Sequence, residues 1–304
     1  SNLGVNDLFT IFSLSRTHTA TETNKHIFMS TVTQPLIVYA IVGSQYVFKV
    51  LAALQSTQVE HYVHFVPISE SQRRKVIPSG RTLVPELQVG VGPNKKIIPD
   101  SEKILEYFQE SSILPHLYPN AKAHELSQRA SDGTLAAMVW YYNWVEQQGY
   151  EKSMRRQIGT QVMPWFVPWM AVDHLLKGVR TKHEGLVRNV VTDVVDLKDE
   201  SAMRQRLLTE LQYFQDCLET DDQPYLIPGA TQPTAADFSV YCLLERLVGA
   251  VDPPSSDNPI YPAIPELKPG NGLDRLWKWH DHMRSTYKVQ FKGRRVPKEL
   301  LSQL

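Results

Sequence analysis

The stretch LIVYAIVGSQYVFKVLAAL, Leu36 to Leu54, decides how the chain is read. Leu36 to Val42 is a short, nearly continuous apolar run with β-branched Ile37, Val38, Ile41 and Val42, the pattern of a strand buried on both faces. Gly43 breaks the run, and Ser44 stands where a helix N-cap belongs. Tyr46, Val47, Val50, Leu51 and Leu54 then fall on one side of a helix. A strand feeding a helix through so small a turn brings Ser44 and the next backbone N–H groups to a positive helix end. Such an end favours a phosphate, a carboxylate or a thiolate. An ordinary βα turn with a capping serine has the same pattern, so the rest of the chain must choose between the two.

Downstream, Val59 to Val66 alternates as a second strand that closes at Pro67. Its His61 and His64 point to opposite faces of a strand and make a poor metal pair. Ser69 to Gly80 reads as a polar loop carrying Arg73, Arg74 and Lys75. Thr82 to Val89 reads as a strand, with Pro85 marking an edge, a bulge or a special turn. A hairpin at Gly90 to Lys95 returns through Lys96 to Ile98. The GxG at Gly90 and Gly92 precedes no helix and is no nucleotide fingerprint. A helix opens at Asp100-Ser101 and buries Ile104, Leu105 and Phe108.

Pro115 and Pro119 punctuate the natural domain boundary, and the remaining pattern is helical. Helices are expected over Ala123–Gln148, over Pro168–Lys177 after the proline-punctuated MPWFVPW, and over Asp199–Glu219. Ala235 to Val248 is apolar nearly all round, which belongs at a domain centre, and Thr234-Ala-Ala-Asp237 is a capping box that starts it. A long loop, Pro253 to Pro269, leads to a last helix with Leu276, Trp277 and Trp279. His280-Asp281-His282 on that helix reads as a solvated run rather than a metal site. From Arg284 the chain carries Arg284, Lys288, Lys292, Arg294, Arg295 and Lys298 against Glu299, and the expectation is a solvated basic tail, 284–304.

A chain of 304 residues is long enough for two domains with their own cores. Its 32 basic and 32 acidic residues cancel, so bulk charge points to neither nucleic acid nor an anionic membrane. No apolar run is long enough to span a bilayer. Cys217 and Cys242 are too few for a disulfide framework and lie in apolar helical patterns. They read as free thiols of a reducing compartment, and a cytoplasmic location is the expectation. Residues 1–34, rich in Ser, Thr and His, are set apart as an N-terminal extension. The chain begins at Ser1 rather than Met, which leaves import of a longer precursor into an organelle open.

Over roughly residues 35–283 the chain resembles the cytosolic glutathione transferase superfamily. GSQYVFKVLAAL is similar to the serine-type pattern, with Lys49 at the basic position ahead of the hydrophobic helix. Val84-Pro85 resembles the family's Val-Pro pair, whose proline is cis. Pro99 to Ile104 resembles its acidic-Ser-x-x-Ile segment, and PYLIPGATQPTAADFSVY its approach to the central helix of the α-domain. The resemblance implies an α/β thioredoxin-like N-terminal domain, 35–112, that binds glutathione, and an all-α substrate domain, 120–283. It implies glutathione as co-substrate, no metal, a small hydrophobic electrophile, a role in detoxification, and a homodimer.

Carried onto this sequence, Ser44 is the catalytic candidate, a hydrogen-bond donor to the glutathione sulfur rather than a nucleophile. Val84 and Pro85 would hold the peptide backbone by a strand-like pair of bonds, while Asp100 and Ser101 take the ammonium and carboxylate of an amino-acid terminus. Tyr46, Trp140, Tyr141 and Trp144 are candidates to line an electrophile pocket, with core packing as the alternative. Relatives that form mixed disulfides need a cysteine where Ser44 stands, so that chemistry is set aside. Three residues depart from the pattern: Gln45 where proline is usual, Leu83 before the Val-Pro pair where a polar or basic residue is usual, and Asp100 in place of glutamate. They support a second reading, a transferase-like protein that binds or assembles without catalysis, its glutathione site decayed.

Overall fold

The computed structural model describes residues 34–41, 43–161, 168–194, 196–248, 267, 270, 272–290 and 293–303. Residues 1–33 of the extension, Val42, residues 163–167 of MPWFVPW and most of the expected 253–269 loop lie outside them.

The opening apolar run forms β1, Leu36–Ala40, buried at every position, and α1, Gln45–Ser56, follows through Gly43 at φ 83°. That positive φ is a conformation glycine adopts without the Cβ penalty. β2 (Tyr62–Phe65) lies parallel to β1. β3 (Glu86–Val89) lies antiparallel on its other side, and β4 (Lys96–Pro99) antiparallel to β3. α3, Ser101–Glu110, packs beside α1. Pro85 precedes β3 rather than lying within it, and the Val84-Pro85 bond is cis. Ser69 to Gly80 contains a short helix, α2 (Glu70–Val76), that buries no residue. A helix without a buried stripe leaves no periodicity in the sequence.

The expected helix over Ala123–Gln148 is interrupted. α4 (Ala121–Asp132) stops at Gly133, where a Cβ would stand 2.3 Å from the Arg129 carbonyl oxygen. α5 (Thr134–Trp140) runs into a π-helical turn at Tyr141–Val145. Then come α6 (Gln147–Tyr150), a second π turn at Glu151–Arg155 and α7 (Arg156–Gln161). α8 (Trp169–Val190) extends well past the expected Lys177, and α9 covers Glu200–Asp216.

α10, Ala235–Leu247, is buried at every residue and packs on both α1 and α4, the position its all-round apolarity predicts. Its capping box forms, and Asp237 does more than cap. The 0 % exposed carboxylate accepts from the Leu226 N–H (2.7 Å), the Thr234 N–H and hydroxyl (2.7 Å each) and the Trp279 indole N–H (3.2 Å). It thereby ties the preceding loop and α11 (Asp274–Tyr287) to the central helix. Asp237→Ala orphans several buried donors at about 1–3 kcal/mol apiece. The expected result is a loss of about 3 kcal/mol or more, read as a lower urea midpoint at unchanged slope.

The basic tail differs from its expectation. Arg284 belongs to α11 and donates to the buried Glu245 carboxylate at 2.9 Å. Beyond it, β5 (Arg294–Arg295) adds parallel to β2, giving the order β4-β3-β1-β2-β5, and α12 (Lys298–Leu301) follows. The two arginine side chains are exposed, but Val296 is buried against Ile37, Tyr39, Val66 and Ile77 on the sheet. The sequence signal was charge, and charge sits on the outer side of a docked strand.

Candidate functional site

Register brings the candidates to one end of the sheet. Tyr39 of β1 stands opposite Glu86 of β3, and Glu86 opposite Pro99 of β4. The exit of β1, the cis bond before β3 and the exit of β4 are therefore neighbours. The Asp100 N–H donates to the Pro85 carbonyl oxygen at 3.2 Å, which joins the last two directly. Ser44 with α1, Val84-Pro85, and Asp100-Ser101 with α3 all belong to this end.

Ser44 is half-buried with extended backbone, φ −78° and ψ 117°, and its Oγ accepts from the Val47 N–H at 3.4 Å. A hydroxyl has one donor and two acceptor lone pairs. Accepting from Val47 leaves the proton of Ser44 available to donate. The first N–H groups of α1 have no partner within the helix by its geometry. Asp100 is exposed at φ 79° and caps α3 by accepting from the Glu102 N–H at 2.9 Å. Ser101, its neighbour, is 5 % exposed. Leu83, just before the Val84-Pro85 pair, is 59 % exposed, so that position is open but apolar.

Behind this end lies a polar cluster that sequence reasoning missed. Lys49 is 0 % exposed on α1. Its ammonium donates to the Glu102 carboxylate, to Ser131 Oγ (3.0 Å) and to Ser127 Oγ (3.2 Å). Glu102 also accepts from the Tyr118 hydroxyl at 2.6 Å and from Ser127 at 3.1 Å. Burial pushes the Glu102 carboxyl up, but the Lys49 charge and the hydrogen bonds from Lys49, Tyr118 and Ser127 outweigh it and hold the pKa below the ordinary value. The cluster fastens α1 and α3 to α4. Its one signal in the sequence is a lysine in the middle of an apolar helix.

Three of the four aromatic candidates, Tyr46, Trp140 and Trp144, form a chain of ring contacts that passes through His183. The Tyr46 hydroxyl donates to the Ser131 carbonyl oxygen at 2.9 Å, and burial, with Asp132 nearby, pushes its ionisation far up. Its ring meets Trp140 at 6.4 Å. Trp144 stacks on His183 at 4.6 Å. Tyr141 is 2 % exposed and packs edge-on to Tyr142, in the core. A cleft of about 730 Å³ opens between the π turns and α8, lined by Trp144, Tyr150, Arg155, Asp173 and Arg180 among others. Of the candidates only Trp144 reaches it, and neither Ser44 nor Asp100 does.

Burial raises the Cys242 thiol to about 12, so it offers no thiolate near neutral pH. His280 is 2 % exposed, and its Nε2 lies 2.7 Å from Glu245 Oε1, so this residue is buried where the sequence suggested solvation. Among the described residues no group of His, Cys, Asp and Glu is arranged to hold a metal ion. No described helix is long and apolar enough to cross a membrane.

No family model matches the chain, and no curated protein does. Solved structures do. Glutathione transferase GSTFuA3 from Phanerochaete chrysosporium is 17 % identical with a TM-score of 0.53, over 85 % of this chain and 98 % of that one. The fold is that of the glutathione transferases. Gtt2 from Saccharomyces cerevisiae matches at 15 % identity and a TM-score of 0.49, over 83 % of this chain and 98 % of its own. A glutathione transferase from Burkholderia graminis, solved with two glutathione molecules bound per subunit, matches at 12 % identity and 0.49, over 85 % and 90 %. The likeness to GSTFuA3 carries the fold, a thioredoxin-like sheet with a helical domain, as the resemblance implied.

Proposed function

We propose that this protein is a glutathione transferase that conjugates the glutathione thiolate to a small hydrophobic electrophile. The observation that carries the reading is the convergence of the Ser44 helix end, the cis Val84-Pro85 bond and the Asp100-Ser101 helix start on one end of the sheet. In this reading the Val84 N–H and C=O pair with the cysteinyl backbone of glutathione. The exposed Asp100 carboxylate takes its ammonium group, and Ser101 with the α3 N–H groups takes the α-carboxylate.

A free thiol titrates near 8.5, so only about 3 % is thiolate at pH 7. A hydroxyl donor at a helix N-terminus stabilises the anion and lowers that value. The thiol proton leaves to solvent, the sulfur forms a carbon–sulfur bond, and an aryl halide would release its halide. In this reading Tyr46 and Trp140, whose rings meet at 6.4 Å, form the apolar wall for the electrophile, and the protein acts in the cytoplasm as a homodimer in detoxification.

The test is turnover of a chloronitrobenzene with reduced glutathione. Conjugation well above the uncatalysed rate is expected. The exposed apolar Leu83 favours the non-catalytic reading, and glutathione binding without turnover across several electrophile classes would decide for it.

A further inference from the structure

The docked C-terminal segment has no counterpart in what the site requires chemically, yet it is built into the fold at several independent points. Gln55 and Gln290 bond reciprocally: the Gln55 amide donates to the Gln290 carbonyl oxygen and accepts from its N–H, each at 2.9 Å. Arg294 pairs with Glu60. A Cβ at Gly293 would stand 2.2 Å from Cγ2 of Val63, so only glycine lets the segment approach β2 this closely. Val296 joins the apolar cluster on the second face of the sheet, where Val76 at the end of α2 and the buried Ile77 after it also pack. Leu300 packs against the same apolar cluster.

That cluster also receives Val84 and Ile41. Val84 precedes the cis proline, and the Ile41 carbonyl oxygen accepts the Ser44 N–H at 3.3 Å. The segment therefore shares one apolar cluster with the two turns that carry the candidate site. We propose that Gly293 to Leu301 is a positioning strap: its docking holds the Ile41–Ser44 turn and the Val84-Pro85 bond in the arrangement that receives glutathione. The glutathione part rests on the function proposed above. If docking and ligand favour the same arrangement, each strengthens the other by the same factor.

Amide hydrogen exchange on the 304-residue chain tests this, comparing wild type with Val296→Asp, with the milder Gly293→Ala, and with the conservative Val296→Ile. The reporters are the Ser44 amide and the Asp100 amide, which donates to Pro85. In Val296→Asp and Gly293→Ala both are expected to exchange about fivefold faster or more, in the usual range of coupling between sites. Amides of α10 keep their protection, the Kd for reduced glutathione rises by a matching factor, and Val296→Ile leaves all three as in wild type.

Faster exchange confined to Tyr62–Val63 and the strap, with Ser44, Asp100 and the Kd at wild-type values, overturns the proposal. A chain ending at Lys288 removes the strap outright, and unchanged site exchange there overturns it equally. Absence of glutathione binding by wild type would strike the transferase reading alone, because the exchange comparison needs no ligand.

Discussion

Lys49→Ala is expected to remove about 3–5 kcal/mol of folding stability, the cost of leaving a buried charge without its partner. Domains of ordinary stability hold roughly 5–15 kcal/mol in total, so the variant should be close to unfolding at 37 °C. Lys49 is wholly enclosed, and Glu102 has only 16 % of its side chain exposed, so water cannot replace the lost ammonium. Ser127, Ser131 and Tyr118 are arranged around this pair and lose their organising charge with it.

The double variant Lys49→Met/Glu102→Gln removes both charges at similar volume and is expected to recover most of the loss. Urea denaturation of the set measures it, and a loss under about 1 kcal/mol in Lys49→Ala would contradict the role assigned to the pair. The same pair gives a pH signature. A carboxyl held below its unfolded value stabilises the fold above that value, about 4.3, and loses its contribution as pH falls through the lower folded pKa. Glu102→Gln should therefore flatten the acid limb of stability below about pH 4.3.

Ser44→Ala is expected to lower conjugation about 10- to 100-fold at neutral pH. The serine hydroxyl is the donor to the sulfur in this account, and its removal returns the bound thiol one to two units toward its free value; each unit is roughly a tenfold change in thiolate below the pKa. The rate should recover as pH is raised, so the rising limb of the pH–rate profile moves up by about one to two units. Loss of the cap costs about 1 kcal/mol, too little to unfold the protein. A stability decrease of that size with an unmoved pH profile would show that Ser44 only caps α1.

The elements with a one-sided or all-round apolar pattern were legible in the sequence. β1 showed as a continuous run, the turn as Gly43 and Ser44, and α10 as an apolar helix behind Thr234 and Asp237. Each of these is a local signal with a local cause. The cis bond at Val84-Pro85 and the pairing of Asp100 with Ser101 entered through the resemblance, because a proline in an apolar run fixes no isomer by itself. What stayed hidden depends on partners distant in the chain. Lys49 meets residues 53 to 82 positions away, and no period in the sequence encodes such an encounter. β5 presents two exposed arginines and hides only Val296, so its charge reads as tail while its backbone behaves as strand. Gly133 and the π turns divide a pattern that runs on without interruption in the sequence.

Titration of the full chain with reduced glutathione, followed by calorimetry, bears most directly on whether this end of the sheet is a tripeptide site. Saturable binding at one site per chain is predicted, weakened at least about tenfold by Asp100→Ala through the lost ion pair to the ammonium group. No heat of binding at millimolar glutathione, or binding indifferent to Asp100→Ala, would contradict it.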